Sequence, residues 1–162
     1  MAALADSNAS TSLQLQALQD AARARSVELS IHWIARGEEI PAAIDAAKAA
    51  GAEAVNLLAS PVLWANRQTI IESVAALRLP TIYAYPEAGA LGGFAAYGPR
   101  LIQVFRDLIP LQLAKVLRGA KPADLPILQP TKFDLVVNMK VAKALGLAIP
   151  ESFLVRADEV IE

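Results

Sequence analysis

The apolar positions of this chain fall into alternating helical and extended patterns over its first half. From Ser12, a good N-cap residue, Leu13, Leu15, Ala17, Leu18 and Ala21 recur at helical spacing and predict a helix ending near Arg25. Val27, Leu29 and Ile31 then alternate with Glu28, Ser30 and His32, the period-two pattern of a strand with one wetter face. Ile40, Ile44 and Ala47 mark a second helix, stopped by Gly51. Ala54–Ala59 is an apolar run of strand length. Ser60-Pro61 opens a third helix with Leu63, Ile70, Ile71, Val74 and Leu77 on its buried side. Pro80–Tyr85 reads as another buried strand.

Strand, helix, strand, helix, strand from Val27 to Tyr85 predicts two right-handed crossovers. The implied fold is α/β: a doubly wound, mainly parallel sheet with helices on its faces. Residues 1–11 are small and polar, and the expectation is a frayed, disordered N-terminus. The rest, 12–162, is expected to form a single α/β lobe.

Beyond Pro86 the pattern loosens. Glu87–Gly98 is glycine-rich and reads as a loop ending in a short strand near Phe94–Tyr97. A long helix is expected over 99–118, kinked at Pro110, then a proline-containing connector over 119–130. Within 131–162, Phe133–Val137 is expected as a strand and Met139–Leu145 as a helix closed by Gly146.

Composition narrows the chemistry. The chain has 162 residues, 55% of them hydrophobic and 19% charged, a formal net charge of −1, and no cysteine. No basic stripe exists to neutralise phosphates, so nucleic acid is not an expected partner. Without cysteine there are no disulfides, thiolate metal sites or thiol nucleophile. Prolines and glycines interrupt the weakly charged stretch Leu79–Pro99, so it cannot span a bilayer as a helix, and no membrane insertion is expected. The residues before Gln16 lack the basic and apolar regions of a secretory signal.

Candidate catalytic groups are sparse. His32 is the only histidine, with no ligand spacing around it, so no metal site is expected. No serine occupies a G-x-S-x-G elbow. Gly89–Gly93 matches neither phosphate-loop pattern, and glycines there suit a backbone crossing. No cofactor and no enzyme activity are expected. The aromatic residues are more informative: Trp33, Tyr83 and Tyr85 lie near the C-terminal ends of predicted parallel strands, the edge at which open α/β sheets bind ligands. With Trp64 and Tyr97 they suit the walls of a site for a flat ligand, and Ser60, Glu87 and Asn138 suit its orientation. Core packing is the competing role for any one of these aromatics.

The last third of the chain adds a resemblance. The phrases GAKPADLP, QPTKFDLVVN, AKALGLAIP and the terminal RADEVIE together resemble the C-terminal end of the uncharacterised ABC-transporter substrate-binding family, whose better-known members are similar to uptake receptors for tryptophan and other aromatic amino acids. The resemblance continues upstream through LLASPVLWANRQTIIESVAALRLPTIYAYPEAGALGGFAAYGP and fades before about Val27. Such receptors are about twice this length. The resemblance therefore implies one flavodoxin-like lobe of a type I periplasmic binding protein, with the other lobe of the pair largely missing.

It further implies a non-enzymatic solute-binding module, with a small aromatic or branched amino acid as ligand and ABC permease subunits as partners. Periplasmic localisation follows from the resemblance, and cytoplasmic localisation if Met1 is the true start. The long helix would lose the lobe it should cover, and the expectation is a homodimer, with exchange of C-terminal segments as one form. A structural or regulatory protein-interaction domain is the alternative reading.

Overall fold

The computed structural model describes Met1–Glu162 and begins with a strand, β1 (Ala2–Asp6), where the sequence reading expected a frayed end. All residues of β1 are buried, and the strand sits between β2 (Ser30–Ile34) and β3 (Val55–Leu57) in a seven-stranded sheet ordered β2-β1-β3-β4-β5-β6-β7. Alanine has weak strand preference, so Ala2-Ala3-Leu4-Ala5 carries little local signal. Covered on both faces and flanked on both edges, small side chains are nonetheless what a crowded central strand accommodates.

The sheet is parallel from β2 through β4 (Thr81–Tyr83) to β5 (Ala95–Gly98). It then reverses: β6 (Asp134–Asn138) is antiparallel to β5, and β7 (Glu159–Ile161) runs parallel to β6. Between the parallel strands lie α1 (Ser12–Ala24), α2 (Ile40–Ala49), α3 (Pro61–Ala65) and α4 (Arg67–Ala76). The third predicted helix is thus two helices, broken at Asn66, whose side-chain amide donates to the Val62 carbonyl. Crossover handedness places α1 on one face of the sheet and α2 with α4 on the other.

The main core lies under α2–α4. Leu4 is paired with Leu57, and Tyr83 with Ala96 and then Val136, so these side chains share one face. Ile40, Ile44, Leu63, Ile70 and Val74 pack onto that face. At roughly 1.5–3 kcal/mol for each large apolar side chain buried, this cluster supplies much of the driving force for folding.

After α5 (Glu87–Ala90) and β5 the chain leaves the sheet in a helical rod made of α6 (Leu101–Gln103), a π-helical turn (Val104–Leu108) and α7 (Ile109–Leu117). The predicted kink at Pro110 takes this form. Proline lacks an N–H and crowds the carbonyl four residues back, and the turn before it widens so that the Ile109 N–H donates to Val104. None of the rod's residues is buried: Leu117 is 78% exposed, and Ile127 in the following connector 92%. The chain re-enters through β6, followed by α8 (Met139–Leu145), which Gly146 closes in the left-handed conformation as expected, then α9 (Glu151–Leu154) and β7.

The exit and re-entry points are clasped together. The Arg100 guanidinium donates to Asp134 at 2.6 Å and to Glu159 at 2.6 Å, and Lys132 pairs with Asp134 at 3.3 Å. Beside it, a side chain at Gly98 would collide with the Ala84 carbonyl oxygen, so only glycine allows the two backbone segments to approach.

Two predictions follow from this architecture. Deleting Met1–Asp6 exposes the facing edges of β2 and β3, and the shortened chain is expected to lose its cooperative urea transition; an unchanged midpoint would return the segment to a frayed end. The second concerns pH. The hydrogen bond from Arg100 holds the Asp134 carboxyl below the usual carboxylate range. Its stabilisation is therefore complete above the unfolded value of about 3.9 and is lost as pH falls through the lower folded value. Asp134→Asn should cost about 1–3 kcal/mol at neutral pH and flatten the loss of stability below about pH 4, read from urea midpoints across pH.

Candidate functional site

The C-terminal ends of β1, β3 and β4 form one edge, and a small group of polar and aromatic side chains meets there. Asp6 closes β1 and is 1% exposed. The Ser60 hydroxyl donates to Asp6 Oδ2 at 2.6 Å and accepts from the backbone N–H groups of Val62 and Leu63, capping α3. The other Asp6 oxygen accepts from the Asn8 N–H at 2.8 Å. Capping fixes the direction of α3, and this places Trp64 against Tyr85, ring edge to ring face, with centroids 5.3 Å apart. Arg67, at the start of α4, lays its guanidinium over the Trp64 ring at 4.7 Å and donates to the Trp64 carbonyl. Its Nε is buried and has no protein partner.

Leu57, Leu58, Trp64, Arg67, Tyr83 and Tyr85 line a recess of about 20 Å³ beside this cluster. Burial raises the Tyr85 phenol above its ordinary value, and the nearby Glu87 carboxylate adds to the shift. Glu87 itself begins α5; one of its oxygens accepts from the Ile102 N–H at 3.2 Å and the other is buried without a partner. Its carboxylate therefore faces the root of the rod.

Of the residues singled out from sequence, Ser60, Trp64, Tyr83, Tyr85 and Glu87 come together at or beside this edge. Tyr83 does so as part of the core: it is 4% exposed, and its buried hydroxyl has no partner. Trp33 is 52% exposed on the outermost strand β2, and its register with Ala5 puts it on the α1 face of the sheet. Tyr97 is 56% exposed and packs its ring on Phe133 at 5.9 Å. Asn138 is not brought to this edge. Because β6 runs antiparallel, its last residue lies at the N-terminal ends of the parallel strands, where Asn138 caps α8 and donates to the Gly89 carbonyl. Asp6, Asn8 and Arg67 were missed. An apolar run ending in Asp-Ser-Asn is the signal that points to the first two.

The sequence profile of a family described as ABC transporter substrate binding protein matches residues 3–161. This chain belongs to that family. The match starts at the first strand, well before Val27, where the resemblance read from sequence faded. No curated protein matches this chain.

Among solved structures, an ABC domain in complex with L-Trp from Streptococcus pneumonia superposes with a TM-score of 0.86 at 24% identity, covering 99% of this chain and 54% of that one. A conserved domain protein from Vibrio cholerae gives 0.86 at 21% identity, with 98% and 53% covered. The ligand-free, open form of a substrate-binding protein with adhesive properties from Clostridium difficile gives 0.66 at 17% identity, with 99% and 53% covered. At these identities the likeness is one of fold. The chain spans about half the length of these solved relatives. No helix in it is long and apolar enough to cross a membrane.

The hydrogen bonds around Ser60 make a direct prediction. Ser60→Ala removes the α3 cap and leaves buried Asp6 with one donor fewer. The expected loss is about 1–3 kcal/mol of stability, measured by urea unfolding at neutral pH; a change within error would mean that Asp6 finds an equivalent partner.

Proposed function

We propose that this chain is one wall of a solute-binding cleft in an ABC-importer receptor, taking a small aromatic or branched amino acid and releasing it unchanged. One observation carries the reading: the rod leaves the sheet after Gly98 and the chain returns at Asp134, the same edge on which Asp6, Trp64 and Tyr85 stand. Whatever covers the rod also faces the recess. A recess of about 20 Å³ cannot enclose an amino acid by itself, so the opposite wall comes from a second body seated against the rod.

The chemistry of the edge supports an amino-acid ligand. The Trp64–Tyr85 pair offers a face and an edge for a flat side chain, a contact worth about 0.5–1.5 kcal/mol beyond burial. The unpaired Arg67 Nε suits a carboxylate, and Glu87, with one free oxygen, suits an ammonium group. The relative solved with L-Trp supports the aromatic choice. By family membership the working compartment is the periplasm and the downstream partner an ABC permease.

The rod's exposed ridge, with Ile102, Phe105, Leu113 and Leu117, needs cover. For the 162-residue chain in isolation, a second copy is the proposed occupant. The same ridge also favours the other reading, a protein-interaction domain without ligand.

Native mass spectrometry of the purified chain with L-tryptophan separates the two. A dimer that retains tryptophan, lost in Tyr85→Ala while the circular dichroism spectrum is kept, is the expected result. A dimer that stays empty favours the interaction domain, and a bare monomer at high concentration removes the ridge argument.

A further inference from the structure

A larger cavity lies at the opposite end of the strands. It has a volume of about 380 Å³, within the range of roughly 300–1,000 Å³ usual for small-molecule sites, and is lined by α4, α8, Thr81 and Tyr83 of β4, and Gly92 and Phe94 just ahead of β5. Its floor is apolar, with Val74, Leu79 and Phe94 among the lining residues, and Tyr83 belongs to the lining as well. The charged residues of its lining are Arg78 and Lys140, both exposed, and no carboxylate accompanies them. The Tyr83 hydroxyl is buried without a protein partner, whereas the Thr81 hydroxyl, also in the lining, is already committed to the Leu79 carbonyl.

Arg78 is held at this cavity by its backbone. It occupies the left-handed region, φ 52°, just past Leu77, the C-cap of α4, a position where glycine is usual. From there its guanidinium reaches across to donate to the Ala144 carbonyl of α8 at 3.1 Å, which leaves further N–H groups free. The lining therefore carries two cations, the Arg78 guanidinium tied to α8 and the Lys140 ammonium of α8 itself.

We infer that this cavity is a second small-molecule site, for a medium-chain monocarboxylate bearing a carbonyl or hydroxyl far from its carboxyl end. The carboxylate sits between Arg78 and Lys140, the chain fills the apolar floor, and the distal oxygen pairs with the Tyr83 hydroxyl. Two cations with no nearby anion select a negative head group. The unpaired buried hydroxyl selects a ligand that carries a hydrogen-bonding atom at depth, because an unmade bond there is costly. The cavity shares Tyr83 with the recess at the cleft edge, and its other lining residues are its own.

The test is titration of the isotope-labelled chain with 7-oxooctanoate, octanoate and octan-1-ol, followed by amide chemical shifts. The expected result is saturable 1:1 binding of 7-oxooctanoate, with shifts centred on Thr81, Phe94 and Val141 rather than on Trp64 and Tyr85. Octanoate should bind several-fold more weakly and octan-1-ol at least tenfold more weakly. Lys140→Glu, an exposed change that leaves the fold intact, should weaken 7-oxooctanoate at least tenfold. Tyr83→Phe should abolish the preference for 7-oxooctanoate over octanoate without lowering the urea midpoint. The proposal is overturned by no saturable shift at millimolar concentration, by shifts confined to the rod or the cleft edge, by indifference to Lys140→Glu, or by a preference that survives Tyr83→Phe.

Discussion

The hydrogen bond from the Ser60 hydroxyl to the Asp6 carboxylate joins the end of the most crowded strand to the start of the helix that carries the aromatic wall. Asp6 is buried, and its carboxyl oxygens are met by hydroxyl and backbone donors. Ser60 in turn can cap α3 only if its side chain is held in the orientation that Asp6 selects. That arrangement sets where Trp64 points, hence where Tyr85 and Arg67 can pack. Remove it and the recess loses its geometry before the core loses its volume.

Much of the fold was legible because core formation writes a periodic pattern. The α2 pattern of Ile40, Ile44 and Ala47 is buried, as are Ile70 and Val74 of α4. Thr81 and Tyr83 of β4 point inward while Ile82 remains exposed. What escaped was structure whose cause is not local. Strand β1 is made of alanines that acquire strand geometry only from neighbours on both sides. The direction of β6 was equally hidden: its apolar run would look the same parallel or antiparallel, and direction alone decided that Asn138 would stand at the far end from Tyr85. Tyr83 shows a third limit. Its place at a strand end was readable, but register decides whether that end faces ligand or core.

The two uncovered features of the lobe have a common origin. A ridge of Ile102, Phe105, Leu113 and Leu117 in solvent is too apolar for a free helix, and the aromatic-lined recess is too small to hold a ligand alone. Each looks anomalous alone. Under the proposed function one partner surface covers both, because the rod's base and the recess share an edge of the sheet. The coverage of the solved relatives, about twice as long as this chain, agrees with a second body of similar size.

The angle at which such a body can sit is not free. Three chain segments meet at the root of the rod, and Arg100 ties them by bonds to Asp134 and Glu159. Glu87 adds a third tie, from α5 to the first turn of the rod through the Ile102 N–H. The rod joins the sheet through two segments, Gly98–Arg100 and the return ahead of Asp134, and glycine at 98 is required by the contact with Ala84. Opening and closing of a cleft would therefore concentrate in a few backbone torsions beside the ion pairs. The residues that set closure are then distinct from those that touch solute, and they sit in the segments that the sequence pattern left least regular.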